Sequence, residues 1–585
     1  MKSSSIPSAQ HLIHHCQQKD IRHIVISPGS RNAPLIISFT EDPFFTCYSI
    51  VDERCAAFFA LGIAQQLQKP VAVVCTSGSA LLNFYPAVAE AFYSDIPLVV
   101  ISADRPHYKI DIGDGQTIRQ DHVFDRHIGY SANLMQDVTH ATETILTLLP
   151  SMIHDQASIE KQQENICDFN NKELKKALEI ASDTNTPVHI NIPFEEPLYH
   201  TVTIDREAMS TADKSLPVVP LSQDLSPYLQ LWNSSAKKMV LVGVYPPNSI
   251  EQKILDHLAK DPSVLIFTET TSNLHHPNFF KSIDSIIAPI ENSKNKEALF
   301  DALQPDILLT FGGLIVSKKI KAFLRNYKPQ HHWHIHEKKA YDTFFSTPVH
   351  FKYSANSFLK TFLKNSVAVD STYQKVWLKI KSDYLHKRDV YLNQIPFSDL
   401  LVFNHIISTI PSGYMVQLAN SSTVRYTQLF DMDPGVTVFC NRGTSGIDGS
   451  TSTAIGASLI QKDPTVLITG DLSFFYDSNG LWNKYLRSDF RIIVLNNEGG
   501  GIFRILPGKE ETENFKNYFE TTHSLDIQSL CKVYQLEYQK ADSEITLQEE
   551  LATFYEASET ARVLEIKTPR KLNNEILLAY FDFIS

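Results

Sequence analysis

Seven cysteines are present, but no two are spaced as Cys-x-x-Cys, so the chain carries no ribbon-type metal knuckle and no dithiol redox motif. Several fall inside apolar segments, where a reduced, buried thiol is the simplest reading. Long apolar runs are also missing. None reaches the roughly 18 residues of a membrane span, and the opening Met-Lys-Ser-Ser-Ser-Ile-Pro-Ser has no apolar signal core. A cytoplasmic protein away from membranes is expected. Positive charge is scarce: 53 Lys and Arg stand against 65 Asp and Glu, a net of −12. That excludes a general nucleic-acid surface, and any anion site must be a local cluster of bases. Short-period repeats and low-complexity tracts are absent, and residues 217–355 hold no clear dinucleotide fingerprint.

What is present is a soluble-type composition, with 43% hydrophobic and 20% charged residues. At 585 residues the chain exceeds one core and predicts about three domains. Residues 1–195 alternate short apolar runs with helical patterns and close on Pro187-Val-His-Ile-Asn-Ile-Pro-Phe194, the signature of a parallel α/β sheet. A low-periodicity linker follows at 196 to about 216. Residues up to 356 hold four further strand candidates: 239–243, 264–267, 307–312 and 332–336. A helical link over roughly 357–395 leads into a third unit ending near Ser585. The fold class read from this pattern is α/β, as three doubly wound parallel-sheet domains at 1–195, 196–356 and 357–585.

The most informative stretch is Leu467-Ile-Thr-Gly-Asp-Leu-Ser473, followed by Ile492-Ile-Val-Leu-Asn-Asn-Glu-Gly-Gly-Gly-Ile-Phe503. Two branched apolar runs each stop at an oxygen-bearing side chain, and one crossover helix fits between Asp471 and Asn497. Both tips then reach the same edge of a parallel sheet, where α/β proteins bind ligands. A carboxylate, an amide oxygen and a glycine-rich backbone form a hard-oxygen set suited to Mg²⁺ and phosphate. The glycines alone are equally compatible with ordinary tight turns. Near the other end, Tyr48-Ser-Ile-Val-Asp-Glu53 runs straight into a helix, which places Glu53 at the helix start. There it also favours the helix dipole, by about 0.3–1 kcal/mol. Two more strands end in Ser27-Pro-Gly-Ser-Arg31 and Thr76-Ser-Gly-Ser-Ala80. The alternating His332, His334 and His336 share one strand face, as metal ligands can, but a polar strand face or edge is the better reading.

Together these elements resemble the pyrimidine and diphosphate domains of thiamine diphosphate enzymes. The segments Ser27–Leu35, Ala103-Asp-Arg-Pro106, Asn420-Ser421 with Arg425, and Asn441-Arg-Gly-Thr-Ser-Gly-Ile-Asp-Gly449 are similar to the menaquinone-biosynthesis branch of that family. The similarity spans nearly the whole chain. It implies a transferase that decarboxylates 2-oxoglutarate and adds the succinyl carbanion equivalent to isochorismate by 1,4-addition, releasing CO₂. It also implies thiamine diphosphate and Mg²⁺ (or Mn²⁺) as cofactors, and a homo-oligomer, dimer or tetramer, with sites between subunits. Residues 1–195 would bind the pyrimidine and 357–585 the diphosphate.

Residue by residue, the resemblance makes Glu53 the catalytic carboxylate at the aminopyrimidine, where burial would raise its pKa. Asp471, Asn497 and the Gly499 carbonyl match the metal ligands. Thr76, Ser77, Gly78, Ile447, Gly470, Leu472, Ser473, Ile502 and Phe503 match cofactor contacts, Ile447 being the apolar wedge under a bent coenzyme. Ser30, Arg31, Arg105, Gln116, Lys318, Ser421, Arg425 and Arg442 match substrate contacts, where guanidinium forks suit dicarboxylates. Lys319 stands where relatives commonly have arginine, and the loop Gly113-Asp-Gly-Gln116 differs from the usual pattern; an outward Asp114 is expected, because an unpaired buried carboxylate is costly. The alternatives are another thiamine diphosphate-dependent 2-oxo acid lyase, of acetolactate synthase or decarboxylase type, and a non-catalytic binding protein of the same fold. Acetolactate synthases and decarboxylases act on small apolar oxo acids and do not need Arg105, Arg425 and Arg442 together.

Overall fold

Branched apolar runs of four to seven residues form most of the central strands, and burial on both faces explains why these read as near-continuous hydrophobic stretches rather than alternating ones. The computed structural model describes residues 2–153, 158–204, 223–505 and 511–585. Three parallel sheets result. The first orders its strands Thr46–Ser49, His23–Ile26, Val71–Cys75, Leu98–Asp104, Val188–Pro193, Tyr130–Asn133. The second runs Val264–Thr268, Lys238–Val242, Ile307–Phe311, His331–Ile335, Val349–Phe351. The third runs Thr437–Cys440, Met415–Leu418, Thr465–Gly470, Arg491–Asn496, Arg562–Lys567, Glu537–Ala541. The three doubly wound parallel sheets expected from the sequence are therefore present. Part of the expected linker at 196–216 lies outside the described residues; its described portion includes a strand, Thr201–Thr203, antiparallel to Lys2–Ser4.

Two compact units contain these sheets. One comprises Met1–Ser215 with Gly443–Lys462 and Phe475–Arg487; the other comprises Leu216–Arg442, Asp463–Phe474 and Ser488–Ser585. In the first, the helix Glu53–Leu67 crosses the helix Ser450–Ser458 at backbone contact. A Cβ on Gly62 would lie 2.0 Å from the Thr453 carbonyl oxygen, and one on Gly456 would lie 2.0 Å from that of Phe59. Glycine is required at both points, and the crossing ties the loop before Ser450 to the helix that begins at Glu53.

In the second unit the period-2 rule sorts the central strands cleanly. Met239, Leu241, Leu265, Phe267 and Leu308 face one core, while Val240, Val242, Ile266 and Leu309 face another. The first of those cores is shared with the third sheet through Val416, Val466 and Ile493. Asn273 bonds both backbone groups of Val438, at 3.0 and 2.8 Å, so the loop after the central sheet's edge strand holds an edge strand of the third. Among the described residues, no helix is long and apolar enough to cross a membrane.

Candidate active site

In the second unit Gly470 pairs with Leu495, so Asp471 and Asn497 leave adjacent parallel strands at the same edge. Asp471 opens the helix Asp471–Tyr476, and the Gly499 N–H donates to its Oδ2 at 2.9 Å. Gly499 adopts φ +140°, and a Cβ there would strike the Glu520 carbonyl oxygen at 2.6 Å. Glycine alone lets this turn close. Asp471 is 2% and Asn497 6% exposed. The Asn497 Nδ2 donates to Asp399 Oδ2 at 3.0 Å, whereas its buried Oδ1 has no hydrogen-bond partner among the described residues. A buried amide oxygen left unsatisfied is costly. A hard cation would satisfy it, so the donor set of carboxylate, amide oxygen and glycine carbonyl fits Mg²⁺ or Mn²⁺. His523 Nε2 stands 3.3 Å from Asp471 Oδ2, and the hydrogen bond to that carboxylate raises the imidazole's pKa. Glu498 turns away to pair with Lys567 at 3.0 Å. Leu472, Ser473, Ile502 and Phe503 follow on the same two connections, largely or partly buried.

A basic group lies in the same unit. Ser421, at φ +69°, turns the chain into the helix Ser422–Thr427, which carries Arg425. Burial lowers the Arg425 pKa, and the nearby Arg442 guanidinium adds to the effect. Arg442 donates to Asn420 Oδ1 at 2.6 Å, and Arg425 Nε is buried without an acceptor among the described residues. Like charges held this close, with an unsatisfied donor, are suited to an incoming carboxylate. Lys318 begins the helix Lys318–Asn326 and is exposed, and Lys319 pairs with Glu291. One turn along, half-buried Lys321 lies in the field of Arg442, Arg425 and Glu269; burial lowers its pKa first. The sequence singled out Lys318, and helical periodicity from Ser317 onward is the signal that would have brought Lys321 forward as well.

The first unit holds the remaining residues. Glu53 is the first residue of its helix, capped by Asp52, whose Oδ1 accepts from the Cys55 N–H at 3.1 Å. Its own carboxylate meets only its own backbone N–H among the described residues. Burial raises its pKa, and the charge of Asp52 raises it further. Thr76 and Ser77 are buried at the end of Val71–Cys75, and the Gly78 N–H donates to Gln120 Oε1 at 2.8 Å. Arg105 Nη1 donates to Ser77 Oγ at 2.5 Å, and its pKa is lowered by burial and then by Arg31. Arg31 is held by the Phe194 carbonyl at 3.0 Å and Glu196 at 3.1 Å, with its buried Nε unpartnered among the described residues. Ser30 and Gln116 are exposed nearby in sequence; the backbone oxygen of Gln116 would lie 3.3 Å from a Cβ on Gly78. Asp114 is exposed, as expected, and caps the Gly115 N–H at 2.8 Å.

Ile447 lies half-buried in the loop before Ser450. That loop is anchored by a residue the sequence did not single out. Glu90, 1% exposed, accepts the Gly443 N–H at 2.7 Å and the Thr444 N–H at 2.6 Å. The histidine face resolves in favour of structure: Thr310 Oγ1 bonds His332 at 2.9 Å and His334 at 2.8 Å, and burial takes their pKa values down to about 4 and about 3. No group of three His, Cys, Asp or Glu side chains suited to a metal occurs among the described residues.

Comparison with known proteins gives the family. The family description "Thiamine pyrophosphate enzyme, N-terminal TPP binding domain" matches residues 7–127, and "Thiamine pyrophosphate enzyme, C-terminal TPP binding domain" matches 420–566. The chain is 54% identical to the 2-succinyl-5-enolpyruvyl-6-hydroxy-3-cyclohexene-1-carboxylate synthase of Christiangramia forsetii, over 100% of both chains. It is 52% identical to the synthase of the same name from Flavobacterium psychrophilum, over 98% of each. The Porphyromonas gingivalis synthase is 37% identical over 97% of this chain and 96% of its own. The chain therefore belongs to the 2-succinyl-5-enolpyruvyl-6-hydroxy-3-cyclohexene-1-carboxylate synthase family of thiamine diphosphate (thiamine pyrophosphate) enzymes.

Proposed function

We propose that the protein decarboxylates 2-oxoglutarate and adds the resulting succinyl unit to isochorismate, releasing CO₂, as a transferase of menaquinone biosynthesis. The observation that carries this reading is the pairing of guanidinium groups, Arg31 with Arg105 and Arg425 with Arg442, each pair including a buried Nε without an acceptor among the described residues. Both substrates are dicarboxylates, and planar forks are the side chains that hold carboxylates bidentately. An enzyme for small apolar oxo acids has no use for them.

Thiamine diphosphate, when bound, supplies the electron sink for decarboxylation and the nucleophilic carbon for the addition. The chain's residues do the rest. Glu53 holds a proton at N1′ of the aminopyrimidine, a task helped by its raised pKa. Asp471, Asn497 Oδ1 and the Gly499 carbonyl take the divalent cation, and backbone N–H groups over Gly470–Ser473 meet the diphosphate. Ile447 would give the coenzyme an apolar support, a positioning effect. Thr76, Ser77, Gly78, Leu472, Ile502 and Phe503 complete the coenzyme contacts. Ser30, Gln116, Ser421 and Lys318 assist the arginines at the substrates. The working assembly is a cytoplasmic homo-oligomer, a dimer or tetramer, in which two copies contribute to each coenzyme.

The test is direct. Purified protein with thiamine diphosphate, Mg²⁺ and 2-oxoglutarate should release CO₂ slowly, and adding isochorismate should give rapid product formation. Equal turnover of pyruvate, or indifference to isochorismate, would reject the substrates while leaving the coenzyme standing.

A further inference from the structure

An asparagine amide has two ends of nearly equal size and opposite polarity. Only one of them can face a cation. In the second unit the Asn497 Nδ2 donates to Asp399 Oδ2 at 3.0 Å, and the buried Oδ1 has no hydrogen-bond partner among the described residues. An ionised carboxylate only accepts hydrogen bonds, so a reversed amide would set two oxygens against each other and turn its NH₂ towards the metal position. We propose that Asp399 is the positioning residue that selects the cation-binding orientation of Asn497. The proposal rests on the reading of Asp471 and Asn497 as cation ligands.

Asp399 is built for this task. It is 3% exposed and begins the helix Asp399–Thr409. Its second oxygen, Oδ1, accepts from Thr568 Oγ1 at 2.6 Å, so each oxygen of the carboxylate is held by a side chain. Its backbone N–H donates to Asn573 Oδ1 at 2.8 Å, and Asn573 Nδ2 donates to Thr568 Oγ1 at 3.2 Å. The Thr568 N–H in turn donates to the Asn496 carbonyl at 3.1 Å, which joins the network to the strand that carries Asn497. The Thr568 hydroxyl donates to Asp399, because an ionised carboxylate can only accept, and its oxygen accepts from Asn573. The carboxylate is thereby fixed in rotation, and it fixes the amide. Outer partners of metal ligands typically change metal affinity 10–100-fold when removed.

The experiment uses the full chain with thiamine diphosphate and Mn²⁺, reading free Mn²⁺ by electron paramagnetic resonance. Asp399→Asn, which can offer a donor where only an acceptor stood, is expected to weaken Mn²⁺ binding about 10–100-fold. Thr568→Val should weaken it by a smaller factor, and it serves as the readout if Asp399→Asn lowers the melting temperature in EDTA. Activity lost at low Mn²⁺ should return as Mn²⁺ is raised, which a merely structural defect would not show. Wild-type Mn²⁺ affinity in both variants would overturn the proposal alone. A wild-type protein that takes up no Mn²⁺ with the coenzyme would overturn the ligand reading as well.

Discussion

Glu90 accepts both the backbone N–H and the hydroxyl of Thr444, at 2.6 and 2.9 Å, across most of the sequence. The Gly443 N–H and Ser94 Oγ share its other oxygen at 2.7 and 2.8 Å. One buried carboxylate thus pins the loop that ends in Ile447 and the helix Ser450–Ser458. Truncation as Glu90→Ala strands several donors at once, and a buried donor left unpaired costs about 1–3 kcal/mol. The expected result is a loss of about 3 kcal/mol in denaturant unfolding and about tenfold weaker thiamine diphosphate binding by calorimetry. Unchanged coenzyme affinity would mean that the loop keeps its form without Glu90.

Glu53→Gln should separate chemistry from folding. The carboxylate has no side-chain partner to lose among the described residues, so the melting temperature of the coenzyme-free protein should stay within about 2 °C, the scale of an inert surface change. Turnover should fall about 10²–10⁴-fold, the range for one general acid–base group. Steady-state kinetics with saturating coenzyme reads this, and a variant with more than a tenth of wild-type kcat would refute the assignment.

Local sequence announced some of this architecture and hid the rest. Asp471 and Asn497 were conspicuous because branched apolar runs stop there, and Glu53 because a strand meets a helix. Parallel sheets declare themselves through such runs, since both faces are buried. Glu90, Asp399 and Asp477 were silent for a common reason. Each is a single carboxylate whose partners come from distant segments, and no periodicity encodes such a pairing. Lys321 was overlooked beside Lys318 because two lysines one turn apart look alike until burial distinguishes them. The Gly62–Gly456 crossing was equally hidden: each glycine sits within a helix, and only their meeting explains them.

That crossing gives a stability prediction. Gly456→Ala would place a methyl group 2.0 Å from the Phe59 carbonyl oxygen, and backbone must move to admit it. Overpacking costs about 1–3 kcal/mol in side-chain cores; against backbone on both helices the upper end is expected, about 3 kcal/mol. Helix propensity opposes this with a gain of up to about 1 kcal/mol. Chemical denaturation reads the net, and a stabilised variant would show that the helices can part freely.

Buried carboxylates set the pH response. Asp477 accepts the Ser452 N–H at 2.7 Å and its hydroxyl at 2.9 Å, yet burial still pushes its pKa up to about 7. Glu269, receiving the Val316 and Ser317 N–H groups, is likewise pushed up to about 7 by burial. Unfolded carboxyl groups titrate near 4, so between about pH 4 and 7 the native state binds more protons than the unfolded state. Stability from these groups is therefore complete below about pH 4 and declines as pH rises through 7. Asp477→Asn removes one contributor, so its melting temperature should fall less between pH 5 and pH 8 than that of the wild type. Parallel profiles would show that Asp477 does not titrate there.

Arg425 offers the sharpest test of substrate choice. Its guanidinium is partly buried beside Arg442, with Nε lacking an acceptor among the described residues. Replacement as Arg425→Lys keeps a cation but removes the planar fork, and hydrogen bonds to charged groups are worth about 1.5–3 kcal/mol. The KM for one dicarboxylate should rise about 10–150-fold, the same energy as a ratio, with kcat changing less. Measuring KM for 2-oxoglutarate and for isochorismate separately then identifies which carboxylate the fork holds, since a residue that merely supports the fold would move both. Lys321→Met should raise the same constant by a smaller factor, because an ammonium in the field of two arginines adds attraction without bidentate geometry. If both constants stay at wild-type values in both variants, this basic group serves structure, and the substrate carboxylates must be held by Arg31 and Arg105.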